Sequence, residues 1–114
     1  MIDEILKYPV GKFKRPEIIT SELLNQYINI ISLFPEKLQQ AVFDLNDEQL
    51  NTEYRPEGWT IRQLINHCAD SHANSLIRFK LALTEDNPIV KPYLEAEWAK
   101  LADSTTIPIA PAFK

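Results

Sequence analysis

Thr60 and Gln63 open the stretch that most restricts what this chain can become. A threonine followed three residues later by glutamine is a capping box. The hydroxyl oxygen accepts an amide of the first turn, and the glutamine reaches back to the amide of the cap. Trp59 and Leu64 stand where a hydrophobic staple would close the same turn. A helix must therefore start at Thr60. The next stop signal is Glu85-Asp86-Asn87-Pro88, because the residue before a proline disfavours helix. A helix over 60–84 is too long to be an accessory, so the rest of the fold has to be built around it.

A second long helix is expected before it. Leu24, Tyr27, Ile28, Ile31, Phe34, Leu38, Ala41, Val42 and Leu45 recur at the helical period. Thr20 is the candidate cap, with Glu22 in the first turn. The period keeps its phase across Pro35, which predicts one kinked helix over roughly 20–45. Residues 46–58 read as a turn with one helical turn at 47–50. A shorter helix is expected over 93–102, and the tail from 104, with two prolines, reads as extended. Residues 1–19, broken by Pro9, Gly11 and Pro16, read as an extended arm.

The fold class is therefore all-α, and 114 residues favour one domain over 1–114. Two glycines against eight prolines fit helices better than a turn-rich β fold. A net charge of −4 gives no electrostatic footprint for nucleic acid. Lys7, Lys12, Lys14 and Arg15 form a local cluster that reads as a solvated arm. No apolar run reaches the ~18 residues a membrane span needs. The N-terminus lacks the hydrophobic region of a signal peptide. A single cysteine excludes an intrachain disulfide and suits a reducing cytoplasm.

On a wheel of about 100° per residue, the 60–84 helix has two faces. Ile61, Ile65, Cys68, Leu76, Phe79 and Leu83 share one, and His72 falls among them. Gln63, His67, Asp70, Ser71, Asn74 and Arg78 share the other. His67 and His72 thus point about 140° apart and do not share a metal ion, since zinc pairs on one helix need i,i+3 or i,i+4 spacing. His72 and Cys68 read as packing residues. For His67 a solvated face and a single-ligand metal site both remain open. Ser71 with His67 lacks the orienting acid and oxyanion hole of a triad. Glu95, Glu97 and Asp103 read as surface solvation.

At these residues the chain resembles a known family. The stretches YPVGKF (8–13), YRPEGWTIRQLINHCADSH (54–72), NSLIRFKLALTEDNPIVKPY (74–93) and EAEWAKLADS (95–104) resemble the YfiT-like branch of the DinB superfamily, metal-dependent hydrolases of Bacillus-type bacteria. The resemblance implies a four-helix up-down-down-up bundle, usually a homodimer. It implies a divalent metal, zinc or nickel, held by His67 and by an H-x-x-x-H pair on the last long helix. The metal would activate water or, in relatives that are thiol S-transferases, a low-molecular-weight thiol such as bacillithiol. Asp70 would then orient a ligand, while Asn74 and Arg78 would line the pocket and hold an anionic group of a small-molecule substrate.

No histidine follows His72. The expectation is therefore a bundle cut to two long helices plus a short one, its N-terminal portion, completed by association with another copy. The alternative is a catalytically inactive scaffold or assembly module that keeps one ligand.

Overall fold

The computed structural model describes residues 2–113. Met1 of the expected arm and Lys114 of the expected domain lie outside them. The secondary structure of the described residues is helical, with one isolated bridge, Glu53 to Thr60, and no strand. None of the helices is long and apolar enough to cross a membrane.

The elements are α1 (Ile2–Lys7), α2 (Ser21–Val42), α3 (Asp47–Leu50), α4 (Ile61–Thr84), α5 (Glu95–Trp98), α6 (Ala102–Thr105) and a 3₁₀ turn at Ala110–Phe113. Both long helices begin as expected. The Thr20 hydroxyl accepts from Leu23 N, and at α4 both halves of the box form: Gln63 N donates to Thr60 Oγ1 (3.1 Å) and Thr60 N to Gln63 Oε1 (2.9 Å). α2 runs through Pro35 without a break in its helical residues. α3 is the single helical turn expected at 47–50, and it has a capping box of its own, Asn46 with Gln49.

Three expectations are corrected. Residues 1–19 are not extended throughout. Pro9 and Gly11 stop a helix but do not forbid one before them, and α1 occupies that space. Beyond α1, Lys12 folds back over the Tyr8 ring and towards Glu4, with Gly11 at φ +84° making the turn that a side chain would oppose. Next, the helix expected over 93–102 is two separate turns, α5 and α6. The backbone leaves the helical conformation at Leu101 (φ −70°, ψ 159°), two residues after Ala99, which is buried and whose carbonyl accepts from Gln63 Nε2 at 2.8 Å. Finally, the tail is neither extended nor idle. Ile109, Ala112 and Phe113 pack on the core, and the 3₁₀ turn accommodates Pro111.

That core is small and lies where the C-terminal end of α2, α3, the first half of α4 and the tail meet. Val42, Leu50 and Ile65 are buried at its centre, Ile65 with 2% of its surface exposed. Arg62, 4% exposed, ties the same elements together. Its guanidinium donates to Asp47 Oδ1 (2.9 Å), Asn51 Oδ1 (3.0 Å) and the Ile107 carbonyl (3.0 Å). Away from this end, Leu24, Ile28 and Ile31 on α2 and Leu76, Ile77, Phe79 and Leu83 on α4 are exposed. The radius of gyration, 16.2 Å, exceeds the ~13 Å of a closed domain of this length.

Candidate functional site

The polar face of α4 is not simply solvated. Its first half forms the seat of the 93–105 segment. Gln63 holds Ala99, α6 lies against α4, and Ser104 is entirely buried in that contact, its Oγ without a hydrogen-bond partner. On this seat His67 is half-buried, its imidazole 5.0 Å from the Trp59 indole at an interplanar angle of 57°. The capping box fixes Trp59 just ahead of α4, so the same local chemistry that starts the helix also places the wall against which His67 rests.

Asp70, half-buried one turn on, has a carboxyl held above the usual range. Burial is the main cause, and the Asp103 carboxylate on α6 adds to it. His67 acts in the opposite direction. The pair Asp70–Asp103 was not visible from the sequence, where Asp103 read as surface solvation. Nothing short of knowing that α6 folds back over α4 would have joined residues 33 positions apart.

The raised carboxyl makes a prediction with a definite sign. A group more easily protonated in the folded state contributes stability below its unfolded value, about 3.9 for aspartate, and that contribution is lost as pH rises through the folded value. At neutral pH the charged Asp70 is thus a liability. Asp70→Asn is expected to raise the thermal midpoint at pH 7, and the gain should vanish near pH 3, where both side chains are neutral. Equal midpoints at pH 7 would remove the crowding of Asp70 from the account.

Further along the stripe, Asn74 turns its Nδ2 back to the Asp70 carbonyl (2.8 Å), and Arg78 is exposed. Both line a cleft of about 600 Å³ between α4 and the 89–98 segment. Its far wall holds two residues that the sequence reading missed as site residues, Tyr93 and Trp98, with ring centroids 4.7 Å apart. Tyr93 Oη is buried and lacks a formed hydrogen bond, although the Ser71 hydroxyl lies near enough to influence it. Burial raises the phenol's pKa; the nearby Glu95 and Asp70 carboxylates add to the rise, and Ser71 and Arg78 partly offset it.

The structure therefore brings His67 and Asp70 together at one level and Asn74 and Arg78 at the next. His72 lies elsewhere, as the wheel predicts, its ring 5.4 Å from that of Phe34, but it is exposed and not packed in the core as expected. Cys68 is half-buried, and burial pushes its thiol pKa up, away from reactivity. Among the described residues no three His, Cys, Asp or Glu side chains form a group that could hold a metal ion.

Comparison with known proteins agrees with the helical fold. The model of the DinB superfamily matches residues 31–111. The chain is 55% identical over 97 residues to a protein of Oceanobacillus iheyensis named "Putative metal-dependent hydrolase". It is 52% identical over 99 residues to one of the same name from Bacillus cereus. These matches take in 85% and 87% of this chain but 56% and 57% of the relatives, so the chain spans somewhat over half their length. Among solved structures it is similar to YfiT from Bacillus subtilis, described as "a probable metal-dependent hydrolase with an unusual four-helix bundle topology". The TM-score is 0.92 and the identity 46%, over 96% of this chain and 62% of that one.

Proposed function

The chain belongs to the DinB superfamily, and from that premise we propose that it supplies one wall of the active site of a metal-dependent hydrolase. The observation that carries the reading is the setting of His67: half-buried on Trp59, one turn from Asp70, on a face that leads directly into a cleft lined by Asn74 and Arg78. An imidazole held in this way is a good ligand for zinc or nickel. A catalytic zinc site, however, takes three protein ligands and leaves a position open. The described residues do not provide that set by themselves, so no step of the reaction is assigned to a metal they hold alone.

In this proposal the missing donors come from a second copy of the chain seated on the exposed apolar faces of α2 and α4, or from sequence matching the part of the relatives that this chain does not span. The metal, once bound, would supply Lewis acidity. The chain's own residues would do the rest. Trp59 and Asp70 would fix the orientation of the His67 ring, and Arg78 and Asn74 would bind the substrate. Titration with Zn²⁺ and Ni²⁺, read by mass spectrometry under native conditions, tests the ligand role. We expect one ion per assembly and its loss in His67→Ala. Equal binding by native and His67→Ala chains overturns the ligand role, and binding by neither overturns the supply of the missing donors by a second copy.

A further inference from the structure

The cleft beyond His67 has a charge pattern of its own. Among the described residues Arg78 and Lys91 are the only ionised side chains lining it, although the chain as a whole carries −4. Neither makes an ion pair with a carboxylate among the described residues. Tyr93 lines the same cleft, its hydroxyl buried beside Ser71 and without a formed hydrogen bond. The remaining lining is largely apolar, with Leu81, Val90, Leu94 and Trp98. Pro88 and Pro92 bracket the strap that forms the outer wall, and Asn87, at φ 51°, turns the chain into it. Both cations are exposed, within reach of an anion that enters the cleft. An arginine fork also suits a planar oxyanion better than a point acceptor.

We propose that this cleft binds a small organic anion, a carboxylate on a hydrocarbon body, with Arg78 and Lys91 holding the charge, Tyr93 Oη donating to it, and the hydrocarbon lying on Leu81, Val90 and Trp98. The cleft's size, about 600 Å³, is that of a small-molecule site. As a statement about substrate, this rests on the hydrolase reading. As a statement about binding, it does not, because none of these residues is a metal ligand.

The test is a ¹H–¹⁵N NMR titration of the chain with hexanoate, hexanol and acetate, with chelator present throughout. We expect hexanoate to shift amides of 77–81 and 88–94 and to bind at least about tenfold more tightly than either hexanol or acetate. Arg78→Gln with Lys91→Gln should bring hexanoate down to the level of hexanol, and Tyr93→Phe should weaken it by a few-fold. All three positions lie at a cleft wall and outside the core, and the spectrum itself reports whether each variant stays folded. Hexanoate no better than hexanol, shifts outside the cleft, or a double variant that binds like the native chain overturns the proposal. Saturable hexanoate binding by a chain that holds no metal would leave the cleft standing and count only against the hydrolase reading. Metal binding lost in His67→Ala, without hexanoate binding, would do the reverse.

Discussion

Arg62→Met is expected to lower the stability of the chain by about 3 kcal/mol, a fall of about 12 °C in the thermal midpoint for a domain of this size. The methionine keeps most of the apolar stem, so packing is nearly preserved. What goes are three charge-assisted hydrogen bonds, to Asp47, Asn51 and the Ile107 carbonyl. They are unequal. Asp47 is 90% exposed and returns to water at little cost, so the ion pair itself contributes modestly. The Ile107 carbonyl loses its donor, and with it the tail loses the tether that brings Phe113 to the core. Asp47→Asn should therefore cost well under half as much as Arg62→Met, since Arg62 keeps two of its three acceptors. Urea unfolding of the two variants checks the order. If Asp47→Asn were the more damaging, the ion pair and not the tether would be the main contribution.

Gly58→Ala is expected to cost about 2 kcal/mol, as overpacking in tight sites does. A Cβ at this position would lie 2.6 Å from Arg55 Cγ, 2.9 Å from Tyr54 Cε1 and 3.1 Å from the Arg55 carbonyl oxygen. None of these atoms can swing away easily. Arg55 donates from Nε to Tyr54 Oη (2.9 Å) and from Nη1 to the Pro56 carbonyl (3.2 Å), while Gly58 N is itself bonded to the Arg55 carbonyl (2.9 Å). The preceding Glu57 already sits at φ 61°, an uncommon position for a side-chain-bearing residue. The loop 54–59 is therefore fully committed, and it delivers Trp59 and Thr60 to the start of α4. The variant should lose stability and also show a changed environment for Trp59, readable by its fluorescence in a Trp98→Phe background. Native stability in the Gly58→Ala chain would mean that the loop can relax without moving Trp59.

What the sequence made legible is what depends on near neighbours. Thr60 with Gln63 lies within one turn, so the start of α4 could be read, and the charge and proline at its far end fixed its stop at Thr84. The opposed directions of His67 and His72 followed from helical geometry alone. The misses beyond α1 involve distant partners. Gln63 reaches Ala99 across 36 positions and Arg62 reaches Ile107 across 45, and these two bonds hold the broken 93–102 segment and the tail against α4. The same holds at the site. His67, Asp70, Asn74 and Arg78 share a stripe and could be grouped, whereas Tyr93, Lys91 and Asp103 reach it only through the fold.

The placement of the core at one end of the two long helices has a consequence for how the molecule moves. Val42 and Ile65 anchor those helices near the loop that joins them, while their distal halves hold exposed apolar side chains and little to resist opening. Resistance to local unfolding should thus form a gradient, with the most slowly exchanging amides around 61–68 and the fastest towards Thr84 and the start of α2. His67 lies on the rigid side of that gradient and Arg78 on the yielding side. In the proposed site a metal ligand would gain from being held still, and a group that closes on an incoming molecule would gain from being able to move; in α4 the two positions are separated by about three turns of one helix.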